Sequence, residues 1–311
     1  MKGSITALLP CEESEFAFGL IPQARAALPG SQAAIDHPEL VNCPSRSLFA
    51  TLIQAHNLWG RVARGACLDE HKLKQDSVIN LWESASEYSQ LSTALNQWEA
   101  GLSKGHRWSE WYLRIYKTEN LDLAYVSIFM ALRLSNVVPR RTHLEEMKAA
   151  ILNTNAPPLF WENMSHELFT NVISLHEGIS AYLAQRSPVK GFPPILAFCV
   201  YICGSLATHL WRCPDLCPRL ALRAENVLHW SLKVLVELQD AWPMAVRWHK
   251  ALRIAAAGLS SLDSKLVLVK TSKSILPDSM VCGRFSYLVS IFANNVCIAF
   301  RLRLGLEQCQ W

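Results

Sequence analysis

Apolar residues recur at steps of three and four along most of this chain, the spacing of helices that bury one face. In SASEYSQLSTALNQWEAGL (84–102), Tyr88, Leu91, Leu95, Trp98 and Leu102 share a face, and Ser84 with Glu87 forms a candidate capping box. ENMSHELFTNVISLHEGISAYLAQ (162–185) repeats the pattern through Leu168, Val172, Leu175, Ile179 and Leu183. Further helices are predicted over 47–65, 121–138 and Leu220–Leu238, separated by proline-bearing turns such as APP (156–158) and GFPP (191–194). No run alternates with period two for long enough to build a sheet. The pattern predicts an all-α fold, a bundle of antiparallel helical hairpins.

ILAFCVYICGSLATHLW (195–211) is apolar on every side. It falls short of the roughly 20 apolar residues a bilayer needs, and Ser205, Thr208 and His209 interrupt it, so it reads as the buried helix at the centre of the bundle. RFSYLVSIFANNVCIAFRLR (284–303) carries Asn294 and Asn295 in its middle and reads as a docked or untethered C-terminal segment rather than a span. ELQDAWPMAVRW (237–248) reads as a joint: Asp240 can cap a new helix and Pro243 fits its first turn. Trp242 and Trp248 would then pack the corner onto the bundle. A ligand stacked between the two indoles is the other reading of this pair.

Half of the 311 residues are apolar and only 18% are charged, which fits a globular protein with a sizeable core. Residues 1–263 balance 24 basic against 24 acidic side chains, and the net charge of +4 comes from 264–311, with six basic and two acidic. The body therefore carries no basic footprint for nucleic acid. MKGSITALLPCEESEF matches neither a secretory signal nor an Arg-rich transit peptide, so an intracellular protein is expected. In that setting the ten cysteines read mostly as buried thiols.

Candidate chemistry is sparse. Cys199 with Cys203 and Cys213 with Cys217 are C-x3-C pairs, but zinc knuckles favour other spacings, and a thiolate cluster in the most apolar helix would be costly. CPDLC (213–217) reads instead as a turn fixed by Pro214 and Pro218. No H-E-x-x-H, G-x-S-x-G, Walker or G-x-G-x-x-G motif is present, and HEG (176–178) reads as a surface pair on a helix. No enzyme is predicted. Asn163-Met164-Ser165 fits a glycosylation acceptor but would stay unmodified inside a cell. Arg140 and Arg141 follow Pro139 at a helix end, where cations oppose exposed carbonyls; they are also candidate contacts for an acidic partner or ligand.

Taken in order, SEFAFG (14–19), SLFATLIQAHNLWGRVAR (47–64), WESASEYSQLSTALNQWEAGL (82–102), LDLAYVSIFMALRLSNVVPRRTHL (121–144), FWENMSHELF (160–169), GFPPILAFCVYICGSLATHLW (191–211) and ELQDAWPMAVRW (237–248) resemble the middle homology region of fungal binuclear zinc-cluster transcription factors. The resemblance covers roughly residues 14–257, which divides the chain into a lead-in (1–13), a regulatory domain (14–257) and a diverged tail (258–311). It marks Trp59, Gly60, Trp98, Phe192, Trp242, Pro243 and Trp248 as structural motif positions. It also implies a nuclear protein that regulates transcription, of the kind that often controls secondary-metabolite pathways.

One departure limits that reading. The two C-x2-C-x6-C halves of the family's DNA-binding module are absent, and Cys11, Cys43 and Cys67 are too sparse to replace them. No zinc and no base-reading element are therefore expected in this chain. DNA would be reached through a partner, a full-length zinc-cluster factor or another transcription protein, whose function this chain could also modulate as a decoy or co-regulator. No coiled coil is available for dimerisation, and no membrane is expected as a partner. The alternative reading is a small-molecule binder or biosynthetic helper built on the same helices, with a cavity beside 195–211.

Overall fold

A computed structural model describes residues 8–22, 25–43, 47–72, 80–150, 159–187 and 191–263. They form twelve α-helices, and no strand occurs among them. The short helices α1 (Glu13–Ala17) and α2 (Gln32–Asp36) precede α3 (Leu48–Lys72), α4 (Glu87–Ala100), α5 (Glu110–Thr118) and α6 (Asp122–Arg141). Then come α7 (Leu144–Ala150), α8 (Phe160–Gln185), α9 (Pro194–Arg212), α10 (Pro218–Ala221), α11 (Ala224–Glu237) and α12 (Met244–Asp263). The all-α class read from the sequence is the class observed.

Two helices organise the packing. α9 is buried as its composition demands, with Ile195, Leu196, Phe198, Val200, Ile202 and Leu206 closed off from solvent, and it packs against α8, α11 and α12. α6 is enclosed just as fully, from Ala124 to Arg140, by α3 and α8 with α4, α5 and α9 around them. One core joins both layers, so the α3–α6–α8 and α8–α9–α11 groups share side chains rather than forming separate units. Residues Ile195–Arg212 are long and apolar enough to cross a membrane, and most of that stretch is buried inside the bundle.

Close crossings explain two glycines. A Cβ on Gly178 of α8 would stand 2.2 Å from the Phe129 ring of α6. A Cβ on Gly204 of α9 would meet Leu252 at 2.5 Å and Ser231 at 2.8 Å. Both helix pairs pack at a distance only a missing side chain permits. Gly60 is different: the nearest atom to its missing Cβ is the flexible end of Arg64, so packing does not explain this motif position.

Several expected boundaries shift. α4 begins at Glu87, and its cap is Ser86, whose hydroxyl accepts from the Ser89 amide, rather than Ser84. Ser86 Oγ also donates to the Leu81 carbonyl, which ties the cap to the preceding turn in a way Ser84 does not. The helix expected over Leu220–Leu238 is broken at Leu222–Arg223. Pro218 opens a single turn, and the break lets α11 turn Ala224, Val227 and Leu228 into the core. α6 continues through Pro139, which removes one intrahelical donor, and the helix ends two residues beyond it at Arg141. α12 runs on to Asp263, past residue 257. The APP turn, the 284–303 segment and the tail beyond 263 lie outside the described residues.

Candidate functional site

Residues 237–248 form the joint between α11 and α12, with a different hinge from the expected one. The Trp242 amide donates to the Leu238 carbonyl, closing α11, and the Trp242 carbonyl accepts from Ala245, opening α12. Pro243 therefore stands just before the first helical residue, and Asp240 lies exposed in the turn. Trp248 is almost wholly buried, stacked on Tyr201 (centroids 5.5 Å apart, 16° between planes) and tilted against Phe198 at 6.0 Å. Trp59 of α3 meets the same Phe198 ring at 6.2 Å. Trp59, Phe198, Tyr201 and Trp248 thus link α3, α9 and α12 through aromatic contact.

Trp242 and Trp98 are half-buried against the same core. The indole nitrogens of Trp59, Trp98 and Trp242 are buried and find no acceptor among the described residues. Phe192 precedes α9 and lies under the Arg186 guanidinium, 3.9 Å from the ring centroid. These motif positions are spread through the bundle and do not converge on one site.

A polar seam crosses the apolar interior where α4, α6 and α8 meet, and most of its members were not legible as site residues in the sequence. Arg140 of α6 is 2% exposed. Its guanidinium is held by Glu167 of α8, by the backbone and side-chain oxygens of Asn136 (2.8 and 3.3 Å) and by Ser92 Oγ of α4 (3.2 Å). The Tyr88 ring lies 5.8 Å away. Two turns earlier on α6, Arg133 binds Glu99 of α4 and donates to Asn171 of α8 at 2.8 Å. Asn171 in turn donates to the Glu167 carbonyl at 2.8 Å.

Arg140 therefore has its acidic partner within the chain and does not face outward as a helix-end cation would. Arg141 is half-buried beside it, close enough to Tyr201 to oppose the burial that raises that phenol's pKa. The signal for the seam was present as Arg133, Asn136 and Arg140 at helical spacing on an otherwise apolar segment. Their partners are non-local, however, and spacing alone does not reveal them.

Two clefts flank these helices. One of about 510 Å³ opens beside the seam, lined by Glu99, Arg107, Trp108, Phe129, Arg133 and neighbours, with Trp108 stacked 4.2 Å from Phe129. Another of about 640 Å³ lies between Met147, the start of α8 and the 215–219 turn. In the second, Cys217 Sγ and His166 Nδ1 are 3.8 Å apart, and Ser165 donates to the Leu216 carbonyl at 2.6 Å. Burial raises the Cys217 thiol's pKa, opposed by the hydrogen bond with the Leu220 backbone and by Arg219, and so disfavours the thiolate.

Cys199 and Cys203 are fully buried in α9, and burial pushes both thiols far from ionisation; Cys203 leans on the Val172 carbonyl. Among the described residues, no group of three or more His, Cys, Asp or Glu side chains is placed to hold a metal ion. Glu177 of the HEG segment pairs with Arg223 at 2.6 Å rather than with His176.

His176 packs its ring edge against Trp230, with centroids 4.6 Å apart. Burial lowers its pKa, Arg223 lowers it further, and Glu177 partly opposes them. A histidine held neutral in the fold contributes stability above its unfolded pKa of about 6.5, and that contribution is lost as pH falls toward the lower folded value. The urea midpoint should therefore drop on acidification from about pH 7.5 to 5.5. His176→Gln should lessen that slope, with His56, whose pKa burial also lowers, carrying the rest; an equally steep slope in the variant would overturn the part given to His176.

No protein-family model and no solved structure matches the chain. A search of curated proteins finds similarity to the "Zn(2)-C6 fungal-type transcription factor FTF1c" of Fusarium oxysporum f. sp. lycopersici, 26% identical over 244 residues. The match covers 76% of this chain and 24% of that protein, so it spans about a quarter of the relative's length. This distant similarity points to the zinc-cluster transcription factors and supports a transcription-regulator-like role.

Proposed function

We propose that this chain is the helical regulatory body of a nuclear transcription regulator of the zinc-cluster type, acting on gene expression through contacts with other transcription proteins. The observation that carries this reading is the similarity over 244 residues to a fungal zinc-cluster factor, found for a chain whose described residues form helices and no strand. A catalytic role has no comparable support, because no nucleophile, base and acceptor set converges in either cleft. Control of a secondary-metabolite pathway is the biological setting proposed for it.

These 311 residues are not themselves expected to read DNA sequence, since residues 1–263 carry equal numbers of acidic and basic side chains and none of the six-cysteine spacing that holds two zinc ions. The purified chain is expected to leave duplex DNA unshifted at about 150 mM salt. A tight complex whose affinity falls steeply with added salt would overturn that expectation. In cells, deleting the gene should change a coherent group of transcripts. If transcripts hold steady while a metabolite disappears, the regulator reading fails.

The two clefts favour a second reading, a small-molecule binder, because their volumes fall within the range of ligand sites. A metabolite retained in the native mass spectrum of the purified chain would support it.

A further inference from the structure

One stretch of surface holds its cations in place without neutralising them. In KGHRWSEWYLRIYK (104–117), the loop before α5 and α5 itself, Lys104, Arg107, Arg114 and Lys117 are all exposed, and Glu110 is the one acid among them. Arg107 donates to the Ala100 and Leu102 carbonyls at 2.6 and 3.1 Å, Arg114 to the Glu110 carbonyl at 3.4 Å, and Lys117 to the Gln185 carbonyl. Each of these acceptors is a neutral backbone oxygen. Elsewhere in the fold Arg133, Arg140 and Arg223 are paired with Glu99, Glu167 and Glu177. Here Arg107, Arg114 and Lys117 are positioned while their charge stays unanswered. The even balance of charge over residues 1–263 conceals this local excess.

Apolar surface accompanies the charge. α5 turns Leu113 into the core and leaves Trp111 65% exposed, with Arg114 and Lys117 following at steps of three on the same outer face. The loop folds back on this helix: a Cβ on Gly105 would stand 3.5 Å from the Tyr116 hydroxyl and 3.8 Å from the Tyr112 ring, which sets Lys104 and Arg107 alongside α5. Trp108 lies nearly flat over Tyr125 and Phe129, with 17° and 26° between planes. Together with Arg107 it lines the cleft of about 510 Å³, so an apolar recess opens at the same loop. An exposed indole among guanidinium groups is the composition of a binding hot spot.

We propose that the 104–109 loop and α5 form a docking surface for an acidic segment of a partner protein, one that carries a large apolar side chain among its carboxylates. The carboxylates pair with Lys104, Arg107, Arg114 and Lys117, and the apolar side chain packs on Trp111. α5 is about 13 Å long, the reach of about four extended residues, so a short segment suffices. A nucleic acid fits less well, because Glu110 within the patch and Glu119 at its end would oppose phosphates. This gives the partner contact of the proposed function a place and a chemistry, and rests on that reading only in taking the partner to be a transcription protein.

Fluorescence anisotropy tests the surface, with the full chain titrated into a labelled peptide that repeats two aspartates and a phenylalanine. The peptide should bind, more weakly as salt rises. Lys104→Glu/Arg114→Glu and, separately, Trp111→Ser should each weaken binding by at least about tenfold. Both variants alter exposed side chains, so circular dichroism should show them folded as the wild type is. A peptide with serine in place of phenylalanine should bind the wild type as weakly as the first peptide binds Trp111→Ser, and Trp111→Ser should lose little further affinity for it.

A wild type that ignores the peptide would overturn the proposal. So would variants that bind as the wild type does, or an oligothymidylate that binds this surface more tightly than the peptide, which would assign it to nucleic acid. Transcripts play no part in this titration, so its failure leaves the regulator reading standing. An unchanged transcript profile, in turn, removes that reading and leaves the measured surface in place.

Discussion

Replacing Glu167 with leucine should cost about 3 kcal/mol of stability, while replacing Arg140, the buried member of the same pair, with methionine should cost about 1 kcal/mol or less. The asymmetry follows from exposure. Arg140 is 2% exposed and Glu167 is 51% exposed at the side chain. Without the carboxylate, a guanidinium remains inside the α4–α6–α8 junction with only the neutral oxygens of Asn136 and Ser92 around it. Without the guanidinium, the carboxylate remains half in water and is solvated there, and methionine fills most of the vacated volume.

The Glu167→Leu cost is placed at the low end of the range for a broken buried pair because water can follow the lost carboxylate inward. The double variant, with no charge left on either side, should recover much of the loss. Urea unfolding of the four proteins at neutral pH measures the cycle. If Arg140→Met proves the more damaging single change, burial of the guanidinium is not what Glu167 compensates.

Truncating Trp248 to alanine should cost about 3–5 kcal/mol, the range for removing a large buried aromatic. For a domain of this size that is a fall of about 10 °C in Tm. The ring is 4% exposed and fills the angle between α9 and α12 against Tyr201 and Phe198, so its loss leaves a cavity lined by rigid neighbours. Trp242, half-buried at the hinge, should cost only about 1–2 kcal/mol when truncated, because a smaller part of its area leaves water on folding. Calorimetry of both variants separates the joint from a ligand-stacking pair. If neither melt moves, the two indoles do not hold the corner together.

The helices were legible wherever one face is apolar over several turns. The patterns at 84–102, 162–185 and 195–211 correspond to α4, α8 and α9 to within a few residues at each end. α5 and α7 went unread because each is too short to repeat its pattern. The enclosure of α6 was hidden for a different reason. Arg133, Ser135, Asn136 and Arg140 give it the look of a helix with a wet side, but the groups that satisfy the arginines come from α4 and α8, distant in sequence.

The Trp242–Trp248 joint was legible as a break because proline and the spacing of the indoles are local signals. Its hinge residue was not, since the Trp242 backbone closes α11 and opens α12 where a side-chain cap was expected. The candidate site was the least legible part. Arg140 reads from the sequence as a helix-end cation or a contact for an acidic partner, and only the packing reveals Glu167 as its partner.

The two thiols of α9 have a use that follows from where they sit. Cys199 and Cys203 lie on the buried helix α9, Cys203 at its junction with α8, wholly shielded and with ionisation disfavoured by burial. An alkylating reagent must wait for that junction to part before it can react, because only the exposed thiolate is nucleophilic. The labelling rate at these two positions therefore keeps time with the opening of the central core, distinct from the quicker reaction at the more accessible Cys11 and Cys213. The chain carries its own clock for the breathing of its interior.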